Sequence, residues 1–434
     1  MATRRASQLT ISYHPEWQQQ SAWDVPIDGT ELTRAFPATS RNYFDVEETN
    51  EDVFNCTGED FLFEILTGSF ARLTVDFDVD PDVLAGVVAG AYGSAASPSG
   101  GSNEVQTETV TATGGTRQLT VQIGANAQTT APIAWDAAFG TIQSALEALS
   151  NVGAGDIVVS GTGPYVYTFS AALQKQDVAL IQVNTYGLTG GTSSFVETTP
   201  GVGLLHTISR ITGYTLPLFT FYVGFRGSDK QPVIFKNVIV NSIRVRSVSR
   251  EKVTATAELI GSSDFDYAVG FTTPDCTDIL PLRFADCQTV VGGVDFNASN
   301  LAREFEYYFQ NDVNPRFDGS SVYSTRHERA DQRPSGFNIW LLGEPGDAIY
   351  NLALAKTTLD CYIRCGTAGR NVKFRAPQGF VKLASPPIRF GGDPAESEIA
   401  LVVRPKKVSG DATTPTTVTA NIAQSTVLLD VDVP

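Results

Sequence analysis

Methionine, histidine and cysteine are scarce in this chain of 434 residues, which has one Met, three His and five Cys. The histidines, His14, His206 and His327, stand far apart. No GxSxG elbow, HExxH pair, phosphate loop or strand-following GxGxxG accompanies them. The residue patterns of nucleophilic, zinc-dependent and nucleotide-dependent catalysis are therefore missing, and no enzyme activity and no cofactor are expected. No apolar run reaches the roughly 18 residues of a membrane helix. The longest, 83–92, is short and rich in Gly and Ala. The opening MATRRASQLT has two arginines with no apolar segment behind them, so a secretory leader is not expected. Basic side chains are in deficit as well, 31 against 47 acidic, for a net charge of −16. Such a chain repels nucleic acid at long range, because DNA binding draws on phosphate neutralisation by Lys and Arg.

The cysteines, Cys56, Cys276, Cys287, Cys361 and Cys365, are odd in number and widely spaced, which does not describe a disulfide framework. A structural zinc site shows two tight pairs. Here only Cys361 and Cys365 are close, in LDCYIRCG, which alternates like a strand. Buried free thiols are expected. Acidic pairs such as Glu47 and Glu48, or Asp76 and Asp78, read as solvated faces.

What the chain does have is β-pattern. RLTVDFDV at 72–79 alternates, with Leu73, Val75, Phe77 and Val79 on one side and Thr74, Asp76 and Asp78 on the other. VTATAEL at 253–259 does the same, and puts Glu258 on its wet side. Further strands are expected at 8–13, 61–66, 218–224, 233–240, 303–309, 337–342, 358–364, 380–384, 398–403 and 426–432. Three helices are expected. One opens with Asp80 as cap and Pro81 at the first position, with Val83, Leu84, Val87, Val88 and Ala91 as its stripe. The second follows Pro345 and carries Ile349, Leu352 and Ala353. The third covers 136–150, with Asp136 as cap and Phe139, Ile142, Leu146 and Leu149 as its stripe.

Composition divides the chain. SAASPSGGS after Gly93 reads as a flexible linker, and TTPGVG at 198–203 as a second break. Between them the charged fraction falls to about half the chain's 18%, with no Cys or His. Residues 103–200 are expected to be a small β-rich domain with one helix, inserted in a loop. The remainder reads as two similar halves, each running strand, short helix, strand pair, strand, with Pro81 and Pro345 in matching places. The expected architecture is mainly β: a duplicated β-sandwich with a flanking short helix, domain 1 over 1–102 plus 201–275, and domain 2 over 276–434. Residues 40–60 read as a long acidic loop. Glu47 and Glu48 in it, with Arg4, Arg5, Arg326, Arg329 and Arg333 opposite, are candidate ring–ring or subunit contacts.

The strand entering PDVL, the Gly/Ala-rich helix end, LHTI at 205–208, KNVIVNSIRV at 236–245 and VTATAELIG at 253–261 resemble the tail tube proteins of long-tailed bacteriophages. The insert, from TTAPIAWDA through IQSALEALSNVGAGDIVVSGTGPYVYTF, is similar to a small module that decorates phage structural proteins and some bacterial surface proteins. The resemblance implies a virion protein assembled in the host cytoplasm. Its rings stack into a hollow, non-contractile tail through which DNA leaves the capsid. Tail terminator, tape-measure and distal tail proteins are the implied partners, with no membrane insertion. Two tube folds per chain imply a trimer forming a pseudo-hexameric ring. On that reading Asp76, Asp78 and Glu258 are candidate lumen residues that keep DNA from adhering, and the insert projects outward. Another virion protein (a tail terminator or a capsid decoration protein), a surface adhesin and an enzyme are the competing readings.

Overall fold

The computed structural model describes residues 9–14, 17–36, 43–54, 61–123, 126–211, 213–225, 231–272, 274, 281–317, 321–329, 333–343, 347–367, 369–390, 397–406, 417–422 and 429. It is mainly β and antiparallel. In chain order the first part holds β1 (Leu9–Tyr13), β2 (Arg34–Ala35), β3 (Tyr43–Phe54), β4 (Phe61–Asp78), α1 (Pro81–Tyr92) and β5 (Gly93–Ala95). There follow β6 (Val105–Val110), β7 (Gly114–Ile123), β8 (Asn126–Thr129), β9 (Ile133–Ala134), α2 (Phe139–Glu147), β10 (Ile157–Ser160), β11 (Tyr165–Phe169), β12 (Gln182–Asn184), β13 (Leu188–Thr189) and β14 (Ser193–Thr199). Next are β15 (Leu204–Arg210), β16 (Phe219–Phe225), β17 (Val233–Val248), β18 (Thr254–Gly261) and β19 (Asp266–Tyr267). The last part holds β20 (Cys287–Val291), β21 (Val294–Asp295), β22 (Ala302–Gln310), β23 (Val313–Arg316), β24 (Arg326–Arg329), β25 (Ser335–Leu342), α3 (Ala348–Leu354), β26 (Thr358–Gly366), β27 (Asn371–Phe390), β28 (Ser397–Pro405) and β29 (Thr417–Ile422).

The pairings repeat. In the first part β2 pairs β1, β1 pairs β16, β16 pairs β17, β17 pairs β18, β18 pairs β4, and β4 pairs β3. In the last part β21, β20, β26, β27, β28, β25 and β22 are joined in the same succession. In each, a short helix follows the strand that corresponds (β4 or β25). The long strands β17 and β27 are the pivots. Each gives its first portion to one layer and its second portion to the other, with a register irregularity near the change.

The two series are joined by one ladder, in which Ser242–Val248 of β17 face Gln310–Glu304 of β22. One continuous sheet results, in the order β3-β4-β18-β17-β22-β25-β28-β27. Its strands alternate as period-two patterning requires. Leu73, Val75, Phe77, Ala255, Ala257, Ile243, Val245, Phe305, Tyr307, Phe337, Ile339, Leu401 and Val403 point into one shared core.

Helix α1 begins and ends where its punctuation dictates. The Asp80 carboxylate accepts from the Asp82 amide at 2.9 Å, Pro81 occupies the first turn, and Gly93 closes the helix at φ 90°. The expected stripe is buried, and so is nearly all the rest of the helix, including Gly86 and Gly90. Small residues make that possible. A methyl at Gly86 would stand 2.2 Å from the Trp17 ring, so the indole lies against bare backbone. The other helices depart from expectation. α2 is capped at Ala138, not Asp136, and Phe139 is half exposed while Ile142 and Leu146 are buried. In α3 only Ala353 is buried, and Leu352 faces outward. Pro345 lies outside the described residues, as does most of 426–432.

Residues 40–60 are not a structureless loop. Positions 43–54 are β3, paired along its length with β4, and the continuous β4 absorbs the 61–66 and 72–78 segments with a shift opposite Thr49 and Asn50. Strand pairing overrides the poor β-propensity of Asp, Glu and Asn. The SAASPSGGS stretch is not a loose linker either. Ala96 N donates to Thr207 O, and Ser99 and Ser102 exchange backbone bonds with Leu205 and Val202, continuing the β5–β15 ladder into a two-stranded neck. Beyond the neck, β6 to β14 and α2 enclose a separate core of Leu119, Val121, Ile142, Leu146, Ile157, Tyr167 and Phe169.

Candidate functional site

The face of the large sheet opposite the core carries the three lumen candidates. Asp76, Asp78 and Glu258 are half-buried there, on β4 and β18, which lie side by side. None stands as a bare carboxylate. Asp76 accepts from Thr256 Oγ1 at 2.5 Å. Asp78 lies 2.6 Å from Lys252 Nζ. Glu258 binds Arg72 through one oxygen and accepts from Asn241 Nδ2 at 2.8 Å and Ser242 Oγ at 3.3 Å through the other. Arg72 also reaches Glu47 of β3 at 2.7 Å, so Glu47, Arg72 and Glu258 form one line of alternating charge across β3, β4 and β18. The line continues over the joining ladder, where Arg244 meets Glu306 at 3.3 Å and Arg246 meets Glu304 at 2.8 Å. The face is thus charge-mixed, with six carboxylates against four cations among these residues. The simple expectation of an acidic wet face is corrected to that extent. Cross-strand ion pairs of this kind add about 0.2–1 kcal/mol each and set register more than stability.

The candidate contact residues are dispersed. Glu48 is exposed, whereas Glu47 is engaged with Arg72. Arg326 pairs with Glu328 at 3.3 Å. Arg329 is buried. It donates to the Gly213 carbonyl at 2.7 Å and lies over the Tyr214 ring. A buried guanidinium turned to a backbone oxygen holds its own hairpin in place, which removes Arg329 from an outer contact surface. Arg333 donates to Ile211 O at 2.7 Å, and burial together with Arg329 and Arg210 brings its pKa down to about 10. Arg4 and Arg5 lie outside the described residues. Glu47 and Glu48 meet neither Arg326 nor Arg329 within the chain.

Sequence reading missed the link between the two parts. Arg370, at the start of β27, bonds both Asp80 oxygens, at 3.0 and 2.8 Å, and also Asp82, tying the N-terminus of α1 to the other part of the chain. Nothing local marks a partner 290 positions away. It also missed the edges of the large sheet. Among the described residues, β3 is paired only along β4, and the end of β27, from Lys382 to Phe390, only along β28. β27 is the counterpart of β17, and β3 is the counterpart of β22. The two open edges therefore correspond to the two strands that the chain itself joins at its centre.

Cys287, Cys361 and Cys365 are buried and free, while Cys56 and Cys276 lie outside the described residues. Among the described residues no three His, Cys, Asp or Glu side chains gather as a metal site, and no helix is long and apolar enough to cross a membrane. No family model matches the chain, and no curated protein is significantly similar to it.

Proposed function

We propose that this chain is a structural subunit that closes head to tail into a ring, and that the rings stack into a hollow tube of the phage tail type. One observation carries the reading. The chain builds the same strand succession twice and joins the copies through β17 and β22, leaving a β22-like edge at one end of the sheet and a β17-like edge at the other. Head-to-tail contacts either close or run on as filaments. Closure satisfies both edges, which otherwise invite unspecific pairing. Pro386 and Pro387 lie in the irregularity between Leu383 and Ile388 and leave β27 without two backbone donors at that point, while the FDVEETNED sequence makes the β3 edge acidic. Both features discourage indiscriminate partners and leave a matched neighbour as the occupant.

With two repeats per chain, three copies supply a six-repeat annulus. The polar face then lines the bore. Its paired charges, with carboxylates in excess, present no stretch of free cation to DNA phosphates. On this reading the insert, carried on its two-stranded neck, projects outward and serves as a decoration. Tail terminator, tape-measure and distal tail proteins are the partners of such a tube.

Negative-stain images of the purified protein test the reading, with rings or tubes as the expected result. Glu48→Lys places a cation on the β3 edge without disturbing the Glu47–Arg72 pair. It is expected to reduce assembly while leaving the unfolding midpoint of the single chain unchanged. A protein that stays monomeric at every concentration and salt tested contradicts the proposal.

A further inference from the structure

Cys287 opens β20 and Cys365 ends the main ladder of β26, and in the register of those strands they are direct partners. Opposed residues of an antiparallel pair hold their Cα atoms about 4.5–5.5 Å apart. That falls inside the range of about 4.4–6.8 Å which a disulfide spans. Both side chains are buried on the core side of the sheet, and Cys287 Sγ lies 3.7 Å from the Arg283 carbonyl oxygen. We propose that Cys287 and Cys365 are a latent cross-strand disulfide site, reduced as described here and closed to a cystine when the protein meets a small-molecule disulfide oxidant.

The third thiol sharpens the assignment. Cys361 faces Val291, four positions along β26 from Cys365. Four strand residues span about 13 Å, which no disulfide bridges. One pair is therefore selected from three thiols in the same sheet. The reaction runs by exchange. One cysteine thiolate attacks a sulfur of the oxidant, forms a mixed disulfide and releases one thiol. The second cysteine then attacks the protein sulfur of the mixed disulfide and releases the other. Two protein thiols lose two protons and two electrons, and one oxidant disulfide becomes two thiols.

Reaction is slow in the folded chain. The Cys365 thiol is held well above its ordinary pKa by the facing Cys287 thiol and by burial, and buried thiols are inert until exposed. Access comes through β20, which has β26 along one side and only the two-residue β21 on the other. Its end at Cys287 follows the short turn Phe284–Asp286, which the Phe284 N to Glu251 O and Val253 N to Leu282 O bonds tie to the segment between β17 and β18, so Cys287 is reached when that local contact opens.

The test uses the full chain with oxidised glutathione, followed by denaturation, alkylation with N-ethylmaleimide and trypsin digestion. Cleavage after Arg283, Arg303, Lys356, Arg364 and Arg370 separates all three cysteines. The expected product is peptide 284–303 joined to peptide 365–370, 2 Da below the sum of the free peptides, with 357–364 alkylated. The yield should rise with pH, be reversed by dithiothreitol and survive Cys361→Ser. Cys287→Ala should leave 365–370 fully alkylated. Recovery of both 284–303 and 365–370 as alkylated peptides after prolonged oxidation overturns the proposal. So does linkage of Cys365 to any other cysteine. The wild-type digest decides the matter even if a variant fails to fold.

Discussion

Trp17 and Gly86 show how much of this fold rests on single side chains. The indole is nearly fully buried in a cluster with Tyr13, Phe36, Phe219 and Phe221, and its ring lies where a Gly86 Cβ would be. Gly86→Ala gains helix propensity but forces the ring out of place, and is expected to destabilise the chain by about 1–3 kcal/mol. Gly140→Ala, in α2, meets nothing within 4 Å and is expected to be neutral or to stabilise by up to about 1 kcal/mol. Denaturant titration of the two variants checks this opposition of sign. His327 gives the pH dependence. It is buried, bonds Ser324 Oγ at 3.0 Å and meets the edge of Trp23, and burial lowers its pKa to about 4. The unfolded chain, with an ordinary histidine near 6.5, takes up the proton first as pH falls. Stability from this residue is complete above about pH 6.5 and is lost progressively down to about pH 4, by about 3 kcal/mol in all. His327→Gln should flatten the stability profile across that window. At this scale the cap Asp80 was readable because it acts on its own neighbours. The Arg370–Asp80 bonds and the seat of Trp17 were not, because they join residues distant in sequence.

Among the elements, the two with clean alternation were legible, 72–79 at the end of β4 and 253–259 at the start of β18, and strands were also expected at 233–240 and 337–342, where β17 and β25 lie. β3 was not. Its acidic residues read as loop, and only the long ladder to β4 makes it a strand. The neck was hidden for the same reason, since Gly and Ser composition is silent about a partner strand more than 100 residues later. That ladder now defines how to remove the insert. Ser102 and Val202 exchange backbone bonds at 3.0 Å in both directions. A two-residue Asn-Gly turn in place of 103–201 therefore closes the neck as an ordinary hairpin. The shortened chain loses the Thr367–Asp177 bond and the Gly203–Gly369 contact geometry around it, but keeps the main core intact. It is expected to fold, with one thermal transition near that of the parent, and to assemble as the parent does. Failure to assemble while folded would make the insert part of the scaffold.

At the scale of the whole molecule, mainly-β character was legible from period-two patterning, and the observed chain has it. The strand order was not, because register and crossover depend on which edges find each other. The observed pairing supplies what the pattern lacked, two equal successions of six ladders with one ladder between them. If the free β27 and β3 edges meet between copies as β17 and β22 meet within one, each chain contributes two of six repeats. Cryo-electron microscopy of the assembled protein measures this directly. The expected map is an annulus with true threefold and approximate sixfold symmetry, in which β27 of one subunit lies beside β3 of the next. Six full-length chains per ring, or subunits that touch through any surface other than those two edges, would contradict it.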